Sequence, residues 1–150
     1  MNEIERIVDQ LERAYRGEAW HGPSIREVLD GVDAEAASAR PISNAHTIGE
    51  LVVHVLAWEK EALARLAGKG RDDLPPEEDW PEGAAAWGEL LEELDVVHER
   101  LTAAIAERPD DRLGTTAAGH SGTTVYVLLH GVIQHNLYHA GQIAILKKAL

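Results

Sequence analysis

His135 and His139 stand four residues apart in a stretch with no charged side chain. On a helix that spacing stacks the two imidazoles on one face, with Cβ atoms about 6 Å apart, close enough to share one metal ion. Both fall in the stripe Leu128, Val132, His135, His139, Gln142, Leu146. Neutral imidazoles on an apolar face are costly unless their nitrogens are satisfied, and a metal ion satisfies them. The competing reading is a pair of histidines that only fill the core. Two ligands hold a catalytic metal poorly, so a third is expected from a facing helix. His54 is the best candidate, three residues after Leu51 and four before Trp58, beside an apolar stripe. Three histidines leave an open coordination position, the pattern of a catalytic rather than a structural site. A water there would be acidified into a nucleophile at neutral pH.

Gln142, three residues after His139, is placed on the same face as a support for a ligand or a contact for substrate. Glu50 and Glu61 point roughly with His54 and are the only candidates for a general base near it. Glu50 is already explained by a helix-capping role, and Glu61 by a surface one. Tyr138 and Asn136 flank the metal face, and Trp58 either lines a pocket or packs in the core. His130 lies about 140° around the helix from His135 and cannot join the same ligand set. His98 either edges the core or is exposed; His21, His46 and His120 are expected in solvent. No Gly-x-Ser-x-Gly elbow, phosphate-binding loop or His-Glu-x-x-His is present, and His98-Glu99-Arg100 lacks the second histidine.

The chain has 150 residues and is read as a single domain over 1–150. It has no Cys, which excludes disulfides, thiolate metal sites and a cysteine nucleophile; any thiol chemistry must use an external thiol. With 14 basic and 26 acidic residues the formal charge is -12, which repels phosphate backbones and anionic lipid. Neither nucleic acid nor membrane is an expected partner. The start, Met1-Asn2-Glu3-Ile4-Glu5-Arg6, carries no readable secretory signal, so a cytoplasmic location is expected. Charge is uneven. Residues 71–112 hold 14 acidic residues against 4 arginines, whereas 113–146 hold no Asp, Glu, Lys or Arg.

Four long helices can be read from the 3.6-residue period. The first spans about 3–18, with Ile4, Ile7, Val8, Leu11 and Tyr15 on one face. Ser24-Ile25-Arg26-Glu27 is a capping box for a short helix, and Thr47-Ile48-Gly49-Glu50 opens the second long helix in the same way. That helix carries Leu51, Val55, Trp58 and Ala62 towards Leu66. Asp79, Pro81 and Glu82 read as the start of the third, whose stripe is Trp87, Leu90, Leu94, Val97, Leu101 and Ile105. The fourth runs from about Thr123 to Leu150, with Val125, Leu128, Val132, Ile143 and Leu146 on one side and Leu129, Ile133, Leu137, Ala140 and Ala144 on another. Two apolar sides predict two things to pack against: the bundle and a second subunit.

Together these residues resemble the DinB/YfiT-like superfamily of metalloenzymes. The resemblance spans nearly the whole chain: Trp20-His21-Gly22-Pro23-Ser24, the run from His46 to His54 with Trp58, and His135-Asn136-Leu137-Tyr138-His139-Ala140-Gly141-Gln142-Ile143, which is the most specific. It implies an all-α fold, a four-helix bundle with a long crossover connection, and a divalent ion on His54, His135 and His139. Nitrogen ligands without thiolate suit Zn, Ni, Fe or Mn. It also implies a homodimer acting on a small-molecule substrate. Characterised members of that superfamily include S-transferases that use mycothiol or bacillithiol and a mycothiol-using maleylpyruvate isomerase. The activity expected is transfer of a low-molecular-weight thiol, or activation of water, at a three-histidine metal site. The alternative is a dimeric metal-binding or stress-associated protein without catalysis, in which a fourth protein ligand, His98 or a carboxylate, closes the site.

Overall fold

The computed structural model describes residues 1–82 and 85–150. They form helices α1 (Glu3–Arg16), α2 (Ile25–Leu29), α3 (Ala34–Ser38), α4 (Ile48–Leu66), α5 (Pro76–Asp79), α6 (Trp87–Ala106) and α7 (Val125–Ala149), with a 3₁₀ turn at Asp110–Arg112. The fold is all-α. Helices α1 and α4 each pack on both α6 and α7, so the four long helices make the bundle and the chain from α2 to α3 is its long crossover between α1 and α4. The starts of α1, α2 and α4 are fixed by capping boxes: Asn2 with Glu5, Ser24 with Glu27 and Thr47 with Glu50. In each, the cap side chain accepts from a free backbone N–H, and the glutamate accepts from the cap residue's own N–H. Thr124 caps α7 through the Val127 N–H.

The third long helix starts later than expected. Asp79 ends the short α5, and α6 begins at Trp87 without a side-chain cap. Asp79 is unavailable as a cap because its carboxylate accepts from Trp58 Nε1 at 2.7 Å and lies 3.1 Å from His54 Nδ1. Part of the expected start, residues 83–84, lies outside the described residues. On α4 the buried stripe runs through Leu51, Val55, Glu59, Ala62 and Leu66, leaving Trp58 half-buried. On α7 the two expected sides merge. Val125, Leu129, Val132, Ile133, Asn136, His139, Ala140, Ile143 and Leu146 are all buried within the chain itself.

The apolar core falls into two clusters. One holds Tyr15, Leu51, Val55, Leu94, Val97, Ala140 and Ile143; the other holds Ile7, Leu11, Ala62, Leu101, Ile105, Leu129 and Val132. On α4, α6 and α7 the junction between them is polar. Glu59 on α4, His98 on α6 and Asn136 on α7 are fully buried there. Asn136 Nδ2 donates to Glu59 Oε1 at 2.8 Å, and His98 Nδ1 contacts the same oxygen at 3.1 Å. The His98 ring stacks on Tyr15 at 3.6 Å, and its Nε2 lies 3.3 Å from Glu12 Oε1 of α1. His98 is therefore central, not exposed.

Candidate metal centre

His54 comes from the second turn of α4, and His135 and His139 from successive turns of α7. The packing of α4 on α7 brings the three rings together. His135 Nε2 lies 3.0 Å from His54 Nε2 and 3.1 Å from His139 Nε2. His54 and His139 are buried and His135 is partly buried.

The outward nitrogens fix the ring tautomers. His54 Nδ1 contacts the Asp79 backbone carbonyl at 2.8 Å, and a carbonyl only accepts, so the hydrogen sits on Nδ1 and Nε2 carries a lone pair. His139 Nδ1 donates to Gln142 Oε1 at 2.6 Å, with the same consequence. Two lone pairs thus face His135 Nε2. One hydrogen on His135 serves only one of them properly, whereas a cation serves all three nitrogens. This donor set fits a divalent metal ion, with Asp79 and Gln142 as the groups that orient its ligands. Burial, with the neighbouring His139 and His54, holds the His135 imidazole down to about 3. His139 is lowered as well, chiefly by burial, against the opposing hydrogen bond to Gln142. Both rings are consequently neutral at pH 7, the form that binds metal.

Trp80 closes one side. Its indole stacks on His54 at 3.9 Å and on His46 at 3.7 Å, nearly parallel to both. Trp58 approaches His135 with ring centroids 6.1 Å apart, and Tyr138 approaches His139 at 5.1 Å while remaining exposed. Beside His135 opens a cavity of about 290 Å³ with Trp58, Glu59, Leu128 and Asn136 in its walls.

The two carboxylates weighed as bases are engaged elsewhere. Glu50 accepts from the Thr47 N–H at 2.7 Å and from Arg40 at 2.7 Å. Burial alone would raise its carboxyl, but these donors, with His46, hold it below the usual carboxylate range. Glu61 is buried, not on the surface, and accepts from Arg65 Nε at 3.0 Å and the Arg71 N–H at 2.8 Å. His130 is turned away towards Tyr126, whose ring is 4.3 Å from it. His21, His46 and His120 are exposed as expected. Among the described residues no fourth side chain joins the three histidines as a possible ligand.

Spacing does not point to Asp79 or Trp80 as parts of the site. Asp79 and Trp80 sit in and just after a four-residue helix with no period to read. Glu59 does leave a signal, as a carboxylate at the i+4 position from Val55 on the apolar stripe of α4.

The DinB superfamily model matches residues 19–143, which carry all three histidines and their supports. The chain belongs to the DinB superfamily. No curated protein matches it. In this DinB chain no helix among the described residues is long and apolar enough to cross a membrane.

Proposed function

We propose that this DinB protein is a metal-dependent enzyme that joins a low-molecular-weight thiol to an electrophilic small molecule at the open position of a His54–His135–His139 centre. The observation that carries the reading is the convergence of three imidazole nitrogens beside a cavity, with no fourth protein ligand among the described residues. A divalent ion held there, Zn, Ni, Fe or Mn, would supply the Lewis acidity that lowers the pKa of a coordinating thiol. Asp79 and Gln142 hold two of the rings in their Nε2-ligating tautomers. Trp80 shields His54 from water, and the cavity at His135 receives the substrate. The absence of Cys requires the thiol to come from outside the chain.

Activation of water is the second form of the same reading. It calls for a proton acceptor; Glu50 and Glu61 are committed to arginines and backbone N–H groups, and the Asp79 carboxylate accepts from Trp58 and lies against the His54 Nδ1 side. That favours thiol transfer. A storage or sensing role without catalysis is disfavoured because no fourth ligand joins the three histidines among the described residues. The test is elemental analysis of untagged protein beside a His54→Ala, His135→Ala variant, followed by conjugation assays with several thiols. About one ion per chain, absent from the variant, and thiol-dependent product formation are expected. Metal binding without turnover of any thiol would move the assignment to the non-catalytic role, and no metal would overturn both.

A further inference from the structure

Three partly buried tryptophans surround α4, and they are not held alike. Trp58 donates its indole N–H to Asp79 Oδ1, and Trp87 donates to the Val32 carbonyl. Among the described residues no such hydrogen bond holds Trp80. Besides packing on the apolar core, its ring is fixed by stacking. His54 and His46 lie 3.9 and 3.7 Å from it between ring centroids, each only 7° from parallel. Two imidazoles that close and that flat would overlap on one face of an indole, so they occupy opposite faces. The outer ring, His46, directly precedes the Thr47 cap of α4. Its Nδ1 lies 3.4 Å from Glu50 Oε2, and Glu50 is itself fixed by the Thr47 N–H and Arg40. A cavity of about 780 Å³ opens on this side, with His46, Trp80 and Trp87 in its walls and none of the three metal-site histidines. The cavity beside His135 has neither His46 nor Trp80 in its walls.

We propose that His46 is a positioning residue: stacked on the outer face of Trp80, it keeps the indole against His54 as a partition between the larger cavity and the three histidines. Stacked aromatic rings attract beyond the area they bury, and here that attraction stands in for the hydrogen bond the indole lacks. With one of its two stacked rings gone, Trp80 is free to turn. Trp80 directly follows Asp79, whose carbonyl and carboxylate hold His54 Nδ1, so a turning indole also loosens the support of that ring. His46 itself is half-exposed, so its removal takes nothing out of the core. The partition keeps water in the larger cavity away from His54 and leaves the His135 side for substrate. This role rests on the metal centre of the proposed function, not on the reaction there, and the stack exists without the ion.

Two measurements separate the stack from the ion. In metal-free, isotope-labelled protein the four tryptophans give four indole N–H signals, and the one lost in Trp80→Phe belongs to Trp80. Its heteronuclear NOE, which reports ring motion, is expected to fall in His46→Ala while the other three hold. His46→Phe keeps a flat ring and gives up the contact with Glu50, and is expected to leave the Trp80 ring as ordered as in the native chain. In zinc-loaded protein, release of the ion into excess chromophoric chelator is expected to be about three- to tenfold faster in His46→Ala, the loss of one stacked pair, and native in His46→Phe. Trp80→Ala is expected to release zinc at least as fast as His46→Ala, and adding His46→Ala to it to change nothing further, because His46 acts through the indole. A Trp80 ring that stays ordered in His46→Ala, native zinc release by that variant, no rescue by phenylalanine, or additive effects in the double variant would overturn the positioning role. A Trp80 ring that loosens as expected in a protein that takes up no divalent ion would keep His46 as its anchor and remove the metal reading instead.

Discussion

Asp79 holds the His54 ring through its backbone carbonyl and its carboxylate at once, and the same carboxylate accepts from Trp58. Asp79→Ala keeps the carbonyl and removes the carboxylate, freeing both rings to turn. Loss of such a support weakens metal binding about 10- to 100-fold, and a competition titration against a chromophoric chelator measures it. Unchanged affinity would mean that the carbonyl alone orients His54. His135 makes a separate prediction about pH. Its imidazole takes a proton near 6.5 when unfolded and near about 3 in the fold. Between those values the unfolded state holds more protons, so stability rises with pH through the window and is lost on acidification. The slope from this group is at most ~1.4 kcal/mol per pH unit. In chelator-treated protein, His135→Leu should therefore show a shallower loss of urea stability from pH 6.5 downwards than the native chain. Parallel curves would count against a buried neutral His135.

At the scale of elements, the loop after α4 and the loop before α7 meet at two glycines. A Cβ on Gly119 would lie 2.2 Å from the Gly70 carbonyl carbon, and one on Gly70 would lie 2.4 Å from the Ala118 carbonyl oxygen. Gly119 also has a φ of +78°. This crossing sets the position of His120 and Thr123 beside the cavity. Gly119→Ala combines a backbone clash with an unfavourable φ and should cost about 2 kcal/mol or more. Gly31→Ala, at a φ of +73° with nothing near its Cβ, should cost only about 1 kcal/mol. Urea denaturation of the two variants reads the difference. Nothing in the sequence pattern announces that crossing, because it joins two loops that have no period. The helices were legible for the opposite reason: capping boxes at Ser24 and Thr47 and long apolar stripes act locally. The histidine site was legible because His135 and His139 share a helix face, and His54 sits on an amphipathic one. Asp79 was misplaced because a carboxylate before a helix looks like a cap whether or not another side chain claims it. His98 stood open between core edge and solvent, and Glu59 drew no reading at all, because pairing hides their polarity and a stripe containing them still buries.

At the scale of the whole molecule, the buried face of α7 is satisfied within the chain, yet its opposite face carries no charged side chain from Tyr126 to Ile145. Val127, Tyr138 and Ile145 are 55%, 65% and 62% exposed. They share a row with Gly131, Gln134 and Gly141, spaced alternately by four and three residues, and no atom lies near where a Cβ on either glycine would be. We propose that this row is where two copies of the chain meet. Elsewhere the net charge of -12 makes like surfaces repel, whereas an uncharged row lets two copies approach, and a two-fold axis pairs the same patch with itself. In such a pair the glycines would let the helix backbones come close, and Tyr138, whose ring lies against His139, would join that contact to the histidine cluster. Light scattering on the native protein at micromolar concentration is expected to give about twice the chain mass of 16.4 kDa. The pair Tyr138→Lys and Ile145→Lys puts four like charges into a symmetric contact and should return the single-chain mass with the helical circular dichroism unchanged. A native monomer would refute the assignment of this row, and a dimer that survives both lysines would place the contact on another face.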